Sequence, residues 1–294
     1  MDWKLERESH FPYRQAMPTK SILCSSLIVM TFFGPSCAAG GDFFGRVSVE
    51  GRIYFANLKS SSSDRYFRAE PFPPAREVAD REFPLDEAEI LVPVVSTKVF
   101  GAANNYKGPD YDPAKKPANP ELFFKAPSSL LAQGGTIVLP KDLESAVYEG
   151  EMVAVIGKRA KNVSIEEAPE YVFGVTCGND VSGTGWPNDF QLWRSKAADT
   201  FAPCGPFIAT GLDYNDLALE LRVNGEVRQK SRTGEMIFSV AELVSFISHY
   251  LTLEPGDLIY TGTPGPLEKV NPGDVVEVEI EGAGVLRNTV AREK

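Results

Sequence analysis

Short apolar stretches separated by turn residues run through most of the chain from residue 43 onward. Strict alternation in 276–280 places apolar residues on one face of a strand and glutamates on the other. Asn224-Gly225, a favoured two-residue hairpin turn, separates two further strand-like stretches. One segment differs, because apolar residues recur at helical spacing from Val240 to Leu251, behind a capping-box sequence at 239–242. The pattern predicts an α+β protein that is mainly β.

The chain divides into three predicted parts. Residues 1–42 form an N-terminal extension, in which an apolar run at 21–33 is too short to span a bilayer and precedes small residues. This profile predicts a signal peptide at 17–38 and an exported protein; the alternative is a mis-set start and a cytoplasmic protein. Residues 43–91 predict a small β module with a proline-rich connector, and residues 92–294 a larger catalytic unit. No other apolar stretch approaches membrane length.

Composition narrows the function classes. The 294 residues are 43% hydrophobic and carry a formal net charge of −10, which argues against nucleic acid as a partner and favours a small molecule. There are only 2 histidines, so histidine-ligated metals and histidine-based triads are disfavoured. The 4 cysteines form no CxxC pair, so no disulfide framework is implied.

Three carboxylates are the candidate ligands of a metal ion. Glu149 and Glu151 lie at the start of an apolar run, where alternation on a strand projects both side chains from one face. Alone, such a pair is more often a strand face in water. Asp180 follows the apolar stretch 171–175 and supplies a third carboxylate. Three carboxylates with few histidines suit an oxygen-preferring cation, Mg²⁺ or Mn²⁺.

Six stretches follow one another in a specific order along the chain. They are 122–129 (LFFKAPSS), 148–158 (YEGEMVAVIGK), 171–174 (YVFG), 179–182 (NDVS), 253–257 (LEPGD) and 261–264 (TGTP). Together they resemble the fumarylacetoacetate hydrolase family from about residue 90 to the C-terminus. The resemblance implies a mixed β-roll catalytic domain, a homodimer, and an enzyme that binds Mg²⁺ or Mn²⁺. It further implies that 2-oxo or β-diketo acids react through an enolate, by isomerisation, C–C hydrolysis or decarboxylation.

The resemblance also assigns roles to individual residues. By position the three carboxylates match the family's metal ligands, and Lys196 matches a lysine that stabilises a developing oxyanion. Gly262 and Thr263 match the turn that contacts the substrate, and Lys125 is expected to contact the substrate as well.

Two departures from the family pattern bear on the reaction. The Asn-Tyr-x-x-His-x-x-Glu motif stands here as 105–112 (NYKGPDYD), so Pro109 replaces the dyad histidine and Asp112 the glutamate. Thr184 stands where the family has an arginine. Isomerisation needs only an enolate and proton movement, so it survives this loss better than hydrolysis does. Asp112, Asp110 and Lys107 are candidate replacement acid or base groups, with Asp112 preferred, although a lone aspartate in a proline-rich loop is more often a turn residue. The alternative function is a metal- and ligand-binding member that has lost catalysis.

Overall fold

β-Strands make up most of the fold, as the alternation predicts. The computed structural model describes residues 42–60, 65–69, 82–84 and 87–294. Its strands are β1 (Phe43–Val49), β2 (Arg52–Ser60), β3 (Arg65–Ala69), β4 (Glu82–Pro84), β5 (Glu89–Ile90), β6 (Val99–Ala103), β7 (Glu121–Lys125), β8 (Leu130–Leu131), β9 (Thr136–Leu139), β10 (Ser145–Val147), β11 (Gly150–Ile156), β12 (Val172–Asn179), β13 (Ser182–Thr184), β14 (Ala202–Ala209), β15 (Ala218–Val223), β16 (Glu226–Arg232), β17 (Leu258–Tyr260), β18 (Lys269–Val270), β19 (Val275–Ile280) and β20 (Gly284–Arg292).

These strands form three sheets. The largest has 12 strands in the order β4-β3-β2-β1-β14-β12-β11-β17-β6-β7, with β5 also paired to β1 and β8 to β14. A 5-stranded sheet has the order β16-β15-β19-β20-β9, and a 3-stranded sheet the order β13-β10-β18. The 5-stranded sheet packs across β11, β12 and β14 of the largest sheet, and most of the hydrophobic core lies between them.

Burial on both faces explains why the central strands are apolar along almost their whole length. Every residue of β11 and β14 is buried, so both faces of these strands are covered. In β19, by contrast, buried and half-buried residues alternate. Its Glu277 and Glu279 lie 3.6 and 2.9 Å from Arg222. The glutamate face predicted for this strand therefore carries ion pairs at the surface of the 5-stranded sheet.

The largest sheet curls back on itself. β7 stands four places from β12 in the strand order. Nevertheless the buried Lys125 Nζ, at the end of β7, donates a hydrogen bond to Asp180 just beyond β12. A flat sheet would hold these groups far apart, since neighbouring strands are about 4.8 Å from one another. The fold is the mixed β-roll expected from the sequence.

Two α-helices lie within the part of the chain that the structure describes, α1 (Trp193–Ala197) and α2 (Val240–Tyr250). The predicted capping box of α2 is present, because Ser239 Oγ accepts from the N–H of Glu242 while the Glu242 carboxylate accepts from the N–H of Ser239. Val240, Leu243, Val244 and Ile247 form its buried face. No helix among the described residues is long and apolar enough to cross a membrane.

The N-terminal strands belong to the largest sheet. β1 and β2 form a hairpin within the predicted β module, and Phe43 and Phe44 pair with Ala209 and Ile208 of β14. The predicted signal peptide at 17–38 lies outside the described residues. A domain boundary near residue 92 stays a prediction.

A close approach between β6 and β7 provides a test of the packing. Gly101 lies opposite Phe123, and a β-carbon at Gly101 would lie 2.2 Å from Cζ of that ring. We expect Gly101→Ala to lower the free energy of unfolding by about 1–3 kcal/mol, because the ring has to move. Urea unfolding measures this. Gly108→Ala is the matched control, since no atom lies within 4 Å of the new methyl group. Equal stability of the two variants would contradict the packing described here.

Candidate active site

The three carboxylates predicted from the sequence lie together. Gly150 at the start of β11 pairs with Asn179 at the end of β12, so antiparallel pairing brings Glu149, Glu151 and Asp180 to one edge of the sheet. One oxygen from each lies within 4.8 Å of the others. The exposed fractions are 8% for Glu149 and 1% for each of the other two. Glu149 and Glu151 are therefore buried and do not form a strand face in water.

Two ammonium groups enter this acidic cluster. Lys196 Nζ donates to both carboxylate oxygens of Glu149, at 3.0 and 2.9 Å, and to Asp180 Oδ2 at 2.7 Å. Lys125 Nζ donates to Asp180 Oδ1, and its side chain is fully buried. Ser182 Oγ donates to Glu149. Lys125 thus contacts a carboxylate from within the protein, whereas Lys196 retains 11% exposure.

Burial and neighbouring charges give the three carboxylates different pKa values. Burial and the nearby Asp180 raise the pKa of Glu149 to about 7, and the same two causes raise the pKa of Glu151 well above its usual value. Burial alone would raise the pKa of Asp180, but Lys125 and Lys196 lower it below the usual value. Asp180 therefore stays ionised, while Glu149 and Glu151 resist ionisation because they are buried beside it.

A divalent cation fits this donor set. The described cluster consists of carboxylate oxygens, the ligands that Mg²⁺ and Mn²⁺ prefer. Within the described residues, the buried hydroxyl of Tyr106 has no hydrogen-bond partner. Burial and the charge of Glu151 raise the pKa of that phenol, so it remains a donor. Glu149, Glu151 and Asp180 would hold the cation. The hydroxyl of Tyr106, which is affected by the charge of Glu151, offers a hydrogen-bond donor.

The predicted substrate turn touches the cluster directly. The N–H of Gly262 donates to Glu151 Oε2 at 2.7 Å. Gly262 has φ +98°, and a β-carbon there would lie 2.7 Å from Cβ of Asn105. Asn105 Nδ2 in turn donates to the carbonyl oxygen of Thr261 at 2.7 Å. Gly262 is therefore needed both for its conformation and for the close approach of Asn105.

Helix α1 presents Lys196 to the carboxylates. Asp189 accepts hydrogen bonds from the backbone N–H groups of Arg194 and Ser195, at 3.1 and 2.8 Å. The ring of Phe123 lies 4.7 Å from Lys196 Nζ, a favourable cation–π contact. The helix start and the aromatic ring together fix the ammonium that bridges Glu149 and Asp180.

Asp112, the predicted acid or base, lies elsewhere. Its side chain accepts from the N–H of Ala114 at 3.0 Å and caps the short 3-10 helix Pro113–Lys115. It is 46% exposed and lies 3.6 Å from Lys115. The structure therefore shows Asp112 in local contacts at the surface, and a role in proton transfer stays a prediction.

Sequence reasoning missed several residues of the site. Asn105 and Tyr106 belong to the motif at 105–112, where the sequence analysis concerns only the missing histidine and its replacement. Ser182 and Phe123 stand within the matching stretches 179–182 and 122–129, with no role predicted for either residue. Gln229, which contacts both the carboxylate strand and the substrate turn, has no local signal because it lies in an ordinary hairpin strand.

Comparison with known proteins places this arrangement in a family. The family profile described as "Fumarylacetoacetate (FAA) hydrolase C-terminal" matches residues 98–291. The chain belongs to the fumarylacetoacetate hydrolase family. Members of this family are isomerases and hydrolases, and they typically use divalent metals.

Individual family members are similar over most of the chain. An uncharacterized protein from Archaeoglobus fulgidus is 42% identical over 217 residues, which cover 72% of this chain and 85% of that protein. The 4-hydroxyphenylacetate degradation bifunctional isomerase/decarboxylase of Escherichia coli is 38% identical over 234 residues, 77% of this chain and 54% of that protein. The crystal structure of 5-carboxymethyl-2-hydroxymuconate delta-isomerase from Mycobacterium smegmatis has a TM-score of 0.79 at 34% identity, covering 86% of this chain and 99% of that one.

Metal binding by the cluster can be tested through thermal stability. We expect saturating Mn²⁺ to raise the melting temperature by several degrees, since a ligand bound at 100 times its Kd stabilises by about 2.7 kcal/mol. Glu149→Ala/Glu151→Ala should abolish the increase. Glu166→Ala/Glu170→Ala removes two exposed carboxylates and should keep it. If Mn²⁺ still raised the melting temperature of Glu149→Ala/Glu151→Ala, the cluster would be ruled out as the metal site. The same conclusion would follow if EDTA reversed the increase neither in the wild type nor in the control variant.

Proposed function

We propose that the protein is a divalent-metal-dependent enzyme that acts on 2-oxo or β-diketo acids by way of an enolate, with isomerisation as the favoured reaction. The observation that carries the proposal is the buried cluster of Glu149, Glu151 and Asp180 with Lys196 in direct contact. Mg²⁺ or Mn²⁺ held by these carboxylates would act as a Lewis acid that polarises the substrate's carbonyl oxygen.

Lys196 supplies a fixed positive charge. Burial would lower its pKa, but the carboxylates of Asp180 and Glu149 outweigh burial and raise it. The ammonium group therefore stays protonated at neutral pH and does not serve as a base. A buried cation held in place by hydrogen bonds stabilises negative charge that develops on a substrate oxygen, at little cost in reorganisation.

Several observations favour isomerisation over hydrolysis. Pro109 carries no proton and cannot activate water, and Asp112 is engaged as a cap. Moving a double bond requires only removal and return of a proton, with no water molecule as a nucleophile. The names of the related E. coli and M. smegmatis proteins both include an isomerase.

The second candidate function is ligand binding without turnover. The replacement of the dyad histidine by Pro109 and the surface position of Asp112 favour it, because both weaken proton transfer while the carboxylate cluster is unaffected. Such a protein would bind oxalate or pyruvate through the metal and convert no 2-oxo or diketo acid.

A substrate panel separates the two functions. Oxaloacetate, acylpyruvates and unsaturated 2-hydroxy diacids are followed by ultraviolet absorbance with Mg²⁺ or Mn²⁺ and again with EDTA. We expect metal-dependent enol loss for at least one compound, and a fall of about 100-fold or more in Lys196→Met, because an oxyanion stabiliser is lost. Lys116→Met is the control, since Lys116 pairs with Glu242 outside the cluster, at 2.7 Å. No turnover by the wild type, with oxalate still bound, would select the binding function.

Asp112 can be tested separately on whichever substrate the panel finds. If Asp112 carries the proton, Asp112→Asn is expected to lower kcat by about 100-fold, in the range lost with a general acid or base. Asparagine is also a good helix cap, so the loop should keep its conformation. Melting temperature checks this point. Turnover within a factor of three of the wild type would restrict Asp112 to its capping role.

A further inference from the structure

Gln229 joins the carboxylate strand to the other sheet. It lies in β16, the edge strand of the 5-stranded sheet, but only 1% of the residue is exposed. Its Oε1 accepts the backbone N–H of Gly150 at 2.9 Å. Gly150 stands between Glu149 and Glu151, so this end of the amide holds the backbone that carries two of the three carboxylates.

The other end of the amide holds the substrate turn. Nε2 of Gln229 lies 3.1 Å from Thr263 Oγ1 and within hydrogen-bond distance of the carbonyl oxygens of Pro264 and Pro266. Neither proline has an N–H group. The turn is therefore rich in acceptors and poor in donors of its own, and the side chain of Gln229 provides the missing donors.

Hydrogen bonding to Gly150 and to the turn fixes the orientation of the amide. A β-carbon at Gly150 would lie 3.1 Å from Oε1 of Gln229 and 3.0 Å from Cβ of Leu221, so the absence of a side chain leaves room for the amide. A rotated amide would set an N–H against the N–H of Gly150 and a carbonyl against the turn's acceptors. Oε1 also accepts from the Thr263 hydroxyl at 3.4 Å, but only Nε2 donates to the carbonyl oxygens of Pro264 and Pro266, so the two ends of the side chain have different tasks.

We propose that Gln229 is a positioning residue that fixes Thr263 and its turn relative to the carboxylates, and so controls ligand affinity without contacting the ligand or the metal. The inference rests on the proposed function, because it takes this turn as the part that contacts the substrate's oxygens. It goes beyond that function by naming the residue that holds the turn in register with the metal ligands.

Gln229→Glu separates the two tasks. The carboxyl group keeps an oxygen for the N–H of Gly150. As a carboxylate it repels the turn's acceptors, and as a neutral acid it has a single O–H to offer them, so the turn loses donors in either form. Asn288→Asp is the matched control, because Asn288 is another buried amide that donates to two backbone carbonyls, those of Ala132 and Gly135, at 2.9 and 3.1 Å.

The probes are Mn²⁺ alone, and then oxalate added to the Mn²⁺-loaded protein, both followed by calorimetric titration. For Gln229→Glu we expect an Mn²⁺ affinity within about threefold of the wild type and an oxalate affinity lowered about tenfold or more, the scale of one to two lost hydrogen bonds. Gln229→Met, which loses both ends of the amide, should weaken Mn²⁺ and oxalate together. Asn288→Asp should lower the melting temperature and change neither affinity.

Two outcomes overturn the inference. Unchanged oxalate affinity in Gln229→Glu would show that the turn needs no positioning by Gln229. A parallel loss of oxalate affinity in Gln229→Glu and Asn288→Asp would show a general effect of lower stability. Failure of the proposed function looks different, since the wild type itself would then bind neither Mn²⁺ nor oxalate.

Discussion

The buried ion pair between Lys125 and Asp180 is the interaction on which both the fold and the site depend. It ties the last strand of the curled sheet to the end of β12, and it lies among charges that are almost fully removed from water. A buried charge is tolerable only while its partner remains, because removal of one leaves the other uncompensated. The same contact lowers the pKa of Asp180. The contact that the curl of the sheet brings about therefore helps, together with Lys196, to set the charge state of Asp180.

The three carboxylates differ because their partners differ. Asp180 faces two ammonium groups, Glu149 faces Lys196 and the hydroxyl of Ser182, and Glu151 accepts from the backbone N–H of Gly262. A symmetric acidic cluster would share protons among equal sites. Here two ammonium groups hold one carboxylate ionised, whereas burial and the nearby Asp180 raise the pKa of the other two. This asymmetry comes from donors positioned on four separate chain segments, which carry Lys125, Ser182, Lys196 and Gly262.

Local sequence patterns predict some features of the fold and of the site, but not others. The hairpin at Asn224-Gly225 and the helix beginning after Ser239 depend on a few adjacent residues, and alternation alone places Glu149 and Glu151 on one face. The contact of Lys125 with Asp180 depends on the curl of five strands, which no local pattern encodes. Gln229 reaches Gly150 across 79 positions of the chain, and its neighbours resemble any exposed hairpin strand. The family motif predicts proton transfer at Asp112, but the capping contact that its carboxylate makes is a property of the local loop.

The pairing of β1 with β14 has a consequence for the rest of the molecule. β14 is apolar and buried along its length, and near its end Ile208 and Ala209 pair with Phe44 and Phe43. A chain that began at residue 92 would keep every carboxylate of the cluster but would leave this strand with an open, hydrophobic edge. Such edges recruit strands from other copies and lead to aggregation. The N-terminal strands therefore cover the end of β14, and the solubility of the sheet that carries the cluster depends on a segment that supplies none of its three carboxylates.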